Sequence, residues 1–138
     1  MKIGQLASRS GRSVHTLRYY EAQRLMPNVE RDPAGRRIYT ERHIAWLELL
    51  SRLRASGMSI TDMRAYTALV TRGDSTLGER QAFLRAHRAR VAATVRDLTS
   101  CLVLIDSKIA LYGRWIKTGR SGPKARVRRD RNGASRLK

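Results

Sequence analysis

Apolar residues follow helical spacing at the start of the chain. They stand three and four residues apart at Ile3, Leu6 and Ala7, which predicts a short first helix. Gly11 is expected to end this helix, because glycine readily adopts the left-handed conformation of a helix C-terminus. Ser13 can cap a second helix that runs from about Val14 to Gln23. Two short helices joined by a turn containing glycine predict a helix-turn-helix.

The next stretch, "PNVERDPAGRRIYT", interrupts the helical pattern. Pro27 and Pro33 break helices, and "DPAG" is typical of a tight turn. The flanking segments, "VER" and "RRIY", are short enough to form a two-stranded ribbon. We therefore predict a small β-hairpin between the second and the third helix.

Two more helices are predicted between residues 40 and 72. Thr40 can cap the first of them, and Gly57 can end it. Its apolar positions follow helical spacing at Ile44, Leu47, Leu50 and Leu53. Ser59, with Asp62 three residues later, is similar to a capping box and begins the next helix, which extends to about Val70.

Beyond Leu84 and an interruption at Arg88, apolar residues alternate at spacings of four and three. Eight positions follow this rule: Val91, Val95, Leu98, Leu102, Ile105, Ile109, Tyr112 and Ile116. The pattern is the a/d seam of a coiled coil. One helix with so narrow a stripe cannot bury it alone, so we predict a homodimer with these residues at its interface. The alternative is that the stripe packs on the N-terminal helices of its own chain.

The charge of the chain indicates a polyanionic partner. Its 138 residues include 29 Lys and Arg against 11 Asp and Glu, a formal charge of +18. Nucleic acid is the first candidate partner, and an anionic membrane surface is the second. Residues 117–138 hold 9 basic residues, 1 acidic residue and few apolar ones, which predicts a basic, disordered tail. This tail either binds DNA or acidic partners nonspecifically or serves only solubility.

Several classes of protein do not fit the sequence. The segment "MKIGQLASRS" lacks the apolar run of a signal peptide, and no stretch approaches the roughly 20 apolar residues of a membrane span. We expect a cytoplasmic protein without a membrane partner. His15, His43 and His87 fall on different predicted helices without paired carboxylates nearby, so no catalytic site, metal or cofactor is predicted. The protein is not expected to be an enzyme.

Three stretches together resemble the MerR family of transcriptional regulators. They are "IGQLASRSGRSVHTLRYYEAQRLMP", "RDPAGRRIYT" and "RLRASGMSITDMR", and the resemblance covers Met1 to about Ile116. It implies a mainly α-helical fold with a winged helix-turn-helix domain over residues 1–72. A linker and a long dimerisation helix, paired as an antiparallel coiled coil, would occupy residues 73–116. The basic tail would occupy residues 117–138.

The resemblance implies DNA contacts from the second helix. It places His15, Thr16 and Tyr19 towards DNA, with Arg18 on a phosphate. Arginine offers a fixed charge and forked donors, and a tyrosine hydroxyl can donate to phosphate from a stiff ring. Tyr20 belongs to the same candidate set but is expected to lie partly in the core, since adjacent residues point about 100° apart around a helix.

The predicted hairpin would be the wing of this fold. The resemblance implies that Arg37 and Tyr39 contact the DNA backbone. The family usually has tyrosine where this chain has Arg36, an exchange that strengthens phosphate attraction and leaves the packing of the wing open. Arg54 matches a further phosphate-contacting position. For each arginine, a solvated surface charge is the alternative interpretation.

The effector of such a regulator is not evident from the sequence. Metal-sensing relatives use several cysteines near the ends of the dimer helix, whereas this chain has Cys101 alone. Such a residue is more often an inert packing residue than a sensor. Aldehyde-responsive relatives carry a cysteine in the third helix, where Arg52 stands here. A small-molecule effector therefore remains unidentified, and the large C-terminal domain of drug-binding relatives has no counterpart.

The resemblance implies a homodimer that binds an inverted-repeat operator in double-stranded DNA. The dimer would distort the promoter so that RNA polymerase can use it. The alternative, from a different class, is an architectural protein that binds DNA or RNA mainly by charge.

Overall fold

The computed structural model describes residues 1–119 together with 127–129 and 135–137. The elements are α1 (Ile3–Ser10), α2 (Val14–Ala22), β1 (Glu30–Arg31), β2 (Arg37–Ile38), α3 (Glu41–Ala55), α4 (Ile60–Thr71), a 3-10 turn (Asp74–Thr76), α5 (Leu77–Thr118), β3 (Val127–Arg129) and β4 (Ser135–Leu137). The predicted order, a helix-turn-helix, a hairpin, two helices and one long helix, is confirmed.

The turn between α1 and α2 follows the predicted capping chemistry. Gly11 has φ 69°, in the left-handed region, and ends α1. The Ser13 hydroxyl accepts a hydrogen bond from the Thr16 backbone N–H at 3.1 Å, which caps α2. Arg12 lies between them and donates to the Ser10 carbonyl at 3.2 Å and to the Leu47 carbonyl of α3 at 3.1 Å. This turn is therefore attached to the third helix as well as closed on itself.

The wing is the antiparallel pair of β1 and β2. Glu30 lies opposite Ile38, and Arg31 lies opposite Arg37. Asp32 closes the turn, since its carboxylate accepts from the Arg36 backbone N–H at 2.9 Å and its carbonyl accepts from Gly35 at 2.9 Å. Gly35 has φ 82°, which the "DPAG" sequence allows at low cost.

Two apolar clusters form the core of the first compact unit, Met1–Ala93. One cluster contains Leu25, Leu50, Leu53, Met58, Met63 and Tyr66. The other contains Leu6, Ala7, Leu17, Tyr39 and Leu47. Tyr20 is half-buried and packs against both clusters, as its predicted place partly in the core implies. Its ring therefore joins the helix-turn-helix to the helices that follow.

Aromatic stacking fixes the beginning of α5 to α3 and α4. The Trp46 and Tyr66 rings are stacked with centroids 5.7 Å apart, and Tyr66 stacks on Phe83 at 5.8 Å. The buried His87 ring is hydrogen-bonded to the Ser56 hydroxyl at 2.8 Å. These contacts explain why the first unit extends to Ala93, beyond the boundary predicted after residue 72.

The second unit, Thr94–Lys138, contains the rest of the 42-residue helix α5. Seven of the eight seam residues lie in it, and each is at least 52% exposed in the single chain: Val95, Leu98, Leu102, Ile105, Ile109, Tyr112 and Ile116. Of the helices that the structure describes, none is both long and apolar enough to cross a bilayer.

The predicted disordered tail falls mostly outside the described residues. Positions 120–126, 130–134 and 138 are not described. The described parts of the tail after Gly119 are β3 and β4, which pair antiparallel with Arg128 opposite Arg136.

Replacing Arg12 with Ala should destabilise the first unit. The loss of charge-assisted donors to the Ser10 and Leu47 carbonyls should lower the free energy of unfolding by about 1.5–3 kcal/mol in urea titrations. Arg9→Ala is the matched control, because Arg9 pairs with Glu41 on the exposed surface. Its loss should leave the free energy of unfolding nearly unchanged, because solvent screens an exposed ion pair. Equal losses for both variants would contradict a structural role for Arg12.

Candidate nucleic-acid interface

Helix α2 presents one exposed face to solvent. His15, Arg18, Tyr19 and Ala22 are spaced by three and four residues and are all exposed, whereas Leu17 on the other side is buried. Tyr19 is 48% exposed and lies 6.2 Å from the Tyr20 ring. The face therefore carries an imidazole, a guanidinium and a phenol, all of which can reach a ligand outside the protein.

Thr16 lies at the N-terminal edge of this face and is half-buried. Its hydroxyl accepts a hydrogen bond from the Ser13 hydroxyl at 2.9 Å, and its backbone N–H is held by the same group. The hydroxyl proton of Thr16 can still be donated, so the side chain is held by the capping Ser13 and still offers a donor.

Beside this face lies a basic cavity of about 370 Å³ between α2 and the wing. We call it the basic groove. Its charged lining consists of Lys2, Arg18, Glu21, Arg31, Arg36 and Arg37. Five cations against one carboxylate give the groove a strongly positive potential, which suits phosphate oxygens. The groove brings Arg18 of α2 together with three other predicted DNA contacts that lie about 20 positions later, Arg36, Arg37 and Tyr39.

Glu21 is the acidic centre of the basic groove. Its carboxylate is only 15% exposed and accepts from the Arg37 guanidinium at 2.6 Å and from the Tyr39 hydroxyl. Burial raises the pKa of Tyr39 well above its usual value, and the hydrogen bond to Glu21 raises it further. Tyr39 therefore stays protonated and remains a donor throughout the physiological pH range.

Tyr39 stands elsewhere than its predicted role requires. The resemblance implied a contact with the DNA backbone, but the ring is 1% exposed and belongs to the core cluster of Leu6, Leu17 and Leu47. Its hydroxyl is occupied by Glu21. In this structure, Tyr39 fastens the wing to α2, because a ring placed immediately after β2 is long enough to reach the middle of the core.

The two wing arginines differ in their surroundings. Arg37 is engaged by Glu21, so it must exchange partners or share its donors to reach a phosphate. Arg36 is more exposed and lies 3.4 Å from the Asp32 carboxylate, a surface pair that contributes little on its own. Arg36 is therefore the more available cation of the two.

Arg54 is exposed in the last turn of α3 and does not line the basic groove. It precedes the N-terminus of α4, where the Ser59 hydroxyl accepts from the Asp62 backbone N–H at 3.1 Å. The free N–H groups in the first turn of a helix attract anions, so Arg54 and this terminus form a second candidate contact for the backbone of DNA.

Sequence reasoning did not identify Lys2 and Arg31 as site residues, although both line the basic groove. Arg31 could have been found, since a two-stranded ribbon with its turn at "DPAG" places Arg31 opposite Arg37. Lys2 could not have been identified from the sequence. It precedes α1, and local patterns do not predict how this part of the chain lies against the wing.

Metal chemistry has no visible basis in the described part of the chain. No group of three or more His, Cys, Asp or Glu side chains there is arranged to hold an ion. Cys101 is an exposed free thiol on α5. His43 is buried, and both of its ring nitrogens have hydrogen-bond partners. One accepts from the Thr40 N–H at 3.0 Å, and the other lies 3.0 Å from the Pro27 carbonyl oxygen.

An exposed helix face, a basic groove and an adjoining two-stranded wing define a winged helix-turn-helix domain, a class of DNA-binding protein. A family model described as "MerR HTH family regulatory protein" matches residues 1–69, and a second, "MerR, DNA binding", matches residues 44–107. The chain belongs to the MerR family of HTH transcriptional regulators, which confirms the resemblance read from its motifs. It is therefore a DNA-binding regulator rather than an enzyme.

Individual relatives support the same assignment. An uncharacterized HTH-type transcriptional regulator of Haemophilus influenzae is 35% identical over 77% of this chain and 78% of the relative. The regulator AdhR of Bacillus subtilis is 41% identical over 66% of this chain and 65% of its own length. The crystal structure of HiNmlR, a MerR family regulator lacking the sensor domain, was solved bound to promoter DNA. It matches with TM-score 0.70 and 32% identity, over 86% of this chain and 94% of that one.

Replacing Tyr39 with Phe should weaken the attachment of the wing to α2 without creating a cavity in the core. Removing the hydroxyl's bond to a carboxylate should lower the free energy of unfolding at pH 7 by about 1.5–3 kcal/mol. Because the folded-state pKa is raised, the hydroxyl stabilises the protein below about pH 10, and this contribution is lost as pH rises further. The difference from wild type, measured by urea unfolding, should therefore shrink above pH 10.

Tyr19→Phe is the matched control for this measurement, since the Tyr19 ring is half exposed. Its stability should change by no more than about 0.5 kcal/mol. A difference between wild type and Tyr39→Phe that stays constant across this pH range would contradict the assigned hydrogen bond.

Proposed function

We propose that this regulator binds specific promoter sites as a homodimer, with α2 in the major groove and the wing on the adjacent phosphates. The observation that carries the proposal is the placement of the basic groove beside the exposed face of α2. A helix that enters the major groove brings its flanking cations to the sugar-phosphate backbone on either side. The structure of HiNmlR bound to promoter DNA, at 32% identity, supports promoter DNA as the ligand.

Different side chains have different tasks in this proposal. His15, Thr16 and Tyr19 face the base edges or the nearest phosphates from α2, where hydrogen bonding to bases can give sequence preference. Arg18, Arg36 and Lys2 hold the phosphates through charge, and Arg54 does the same next to the N-terminus of α4. Arg31 and Arg37 complete the basic groove, and Tyr20 and Tyr39 support it from the core.

The homodimer is proposed from the exposed stripe of α5. Seven large apolar side chains repeat there at coiled-coil spacing, and each is more than half exposed. Pairing two such helices antiparallel would bury both stripes and supply two DNA-binding units, which suits an inverted-repeat operator. We propose residues 1–72 as the DNA-binding part, residues 73–116 as the linker and pairing helix, and residues 117–138 as a basic extension that adds nonspecific affinity.

Regulation is proposed to operate through the shape of the promoter. A dimer bound across the promoter spacer could distort the DNA so that RNA polymerase engages it, and an effector that favours one DNA shape would switch transcription. The high positive charge also favours a second candidate, an architectural protein that binds nucleic acid mainly by charge. Footprinting separates them, because a discrete inverted repeat supports the regulator and uniform coverage supports the architectural protein.

Substitutions on α2 and on the wing should affect DNA binding differently. His15→Ala should reduce the preference for the operator over random DNA by about 1–3 kcal/mol. Arg36→Ala should weaken binding to operator and random DNA alike. It should also reduce the slope of log affinity against log salt by about one unit. Arg114→Ala, which removes an exposed cation on α5 far along the chain, controls for net charge and should leave both quantities nearly unchanged.

Fluorescence anisotropy at several salt concentrations gives the affinities of the wild type and the three variants for both DNAs. If His15→Ala weakened operator and random DNA equally, base reading at that position would be wrong.

Leu102→Asp should convert the dimer into monomers that bind the operator poorly, because it places a charge in the seam. Val103→Asp is the matched control. Val103 is the next residue and is similarly exposed in the single chain, at 63% against 58%, but it lies off the seam. Sedimentation equilibrium at micromolar concentration should show monomers for the first variant and dimers for the second. A monomeric wild type would contradict the proposed homodimer.

A further inference from the structure

The eight seam residues have a symmetric arrangement along α5. Their spacings are four, three, four, three, four, three and four, which read the same in both directions. An antiparallel pair of such helices can therefore align so that every seam residue faces a seam residue of the partner. The midpoint of this alignment falls between Val103 and Leu104.

We propose that two α5 helices pair antiparallel in this one register and that Arg88 sets it. The proposal rests on the homodimer inferred above. In this register Leu102 faces the partner's Ile105, and Leu98 faces the partner's Ile109. Val95 faces the partner's Tyr112, and Val91 faces the partner's Ile116. All eight seam residues are covered in the pair, which no displaced register achieves.

Arg88 continues the seam spacing on the N-terminal side, three residues before Val91. In the proposed register it lies opposite the partner's Gly119, the residue immediately after α5. The last carbonyls of a helix lack N–H partners within the helix and carry its partial negative charge. A guanidinium at this place can donate to those carbonyls and stays at the solvent-exposed end of the pair.

A displacement of one heptad in one direction places Arg88 inside the pair. Arg88 would then face the partner's Tyr112, and a charge would enter the apolar seam at two symmetric places. Leu84 would have to cover the partner's Ile116, but Leu84 is half-buried against the core of its own chain. This displaced register therefore loses apolar cover and buries two charges.

The opposite displacement, also of one heptad, moves seam residues beyond the partner helix. Val95 would lie opposite the partner's Gly119, and Val91 would lie past the end of α5. A parallel pair would retain all eight apolar layers but would place Arg88 against the partner's Arg88, a contact between like charges. The antiparallel register centred between Val103 and Leu104 avoids all of these costs.

Disulfide trapping in the full-length chain tests the register. Every variant carries Cys101→Ser, so that only introduced thiols can react. Leu98→Cys with Ile109→Cys should form a covalent dimer on mild oxidation, because these positions face each other. Among antiparallel registers, Leu98→Cys with Leu102→Cys should cross-link only in the displaced register that places Arg88 opposite the partner's Tyr112. Leu98→Cys with Ile116→Cys should cross-link only in the register displaced in the opposite direction. Leu98→Cys alone reports a parallel pair, in which each residue faces its own copy.

The geometry makes these variants selective. A displacement of seven residues moves the helices by about 10 Å, whereas a disulfide requires Cα atoms closer than about 7 Å. Non-reducing electrophoresis should show at least about tenfold more covalent dimer for the matched pair than for the other three variants. Sedimentation before oxidation must show dimers. If the protein is a dimer but another variant gives the most covalent dimer, the proposed register is wrong. If the wild type is a monomer, the proposed homodimer itself is wrong.

The role of Arg88 has its own test. Arg88→Leu makes the layer opposite the partner's Tyr112 apolar, so that displaced register then has as many apolar layers as the proposed one. Covalent dimer from the variant with Leu98→Cys and Leu102→Cys should therefore increase about tenfold. Arg88→Lys retains the charge and should keep the original pattern. An unchanged pattern in Arg88→Leu would overturn the assignment of Arg88 as the register-setting residue.

Discussion

The carboxylate of Glu21 is the interaction on which the DNA-binding surface depends. It lies at the edge of the core, and a carboxylate so far removed from water requires partners. Tyr39 supplies one from the end of the wing, and Arg37 supplies the other from β2. These two contacts hold the wing at a fixed place beside α2. The cations of the basic groove therefore keep their spacing relative to the exposed face of α2.

The sequence was sufficient for every feature that local patterns determine. Ser13 and Gly11 mark helix ends, "DPAG" marks the wing turn, and the spacing from Val91 to Ile116 marks the long helix α5. Contacts between distant positions were not predictable in this way. Tyr39 meets Glu21 across 18 positions, and Arg12 meets Leu47 across 35. An arginine or tyrosine near such a site suggests a DNA contact until the fold shows that its donors are already used.

The adjacent tyrosines of α2 show how one helix serves the core and a ligand together. Positions that follow each other point about 100° apart around a helix, so two neighbouring rings must face different surroundings. Tyr20 joins both core clusters, and Tyr19 lies on the exposed face with His15 and Arg18. Substituting the buried ring would therefore disturb the position of the exposed one.

In the proposed homodimer, the register of the paired α5 helices bears on the geometry of the operator. Phe83 and His87 attach the first turns of α5 to α4 and to the end of α3. One heptad corresponds to about 10 Å along the helix, and base pairs are spaced by about 3.4 Å. A change of register would thus alter the distance between half-sites by about three base pairs. Under the proposed register, a single charge at Arg88 would connect the sequence of α5 to the spacing of the DNA site.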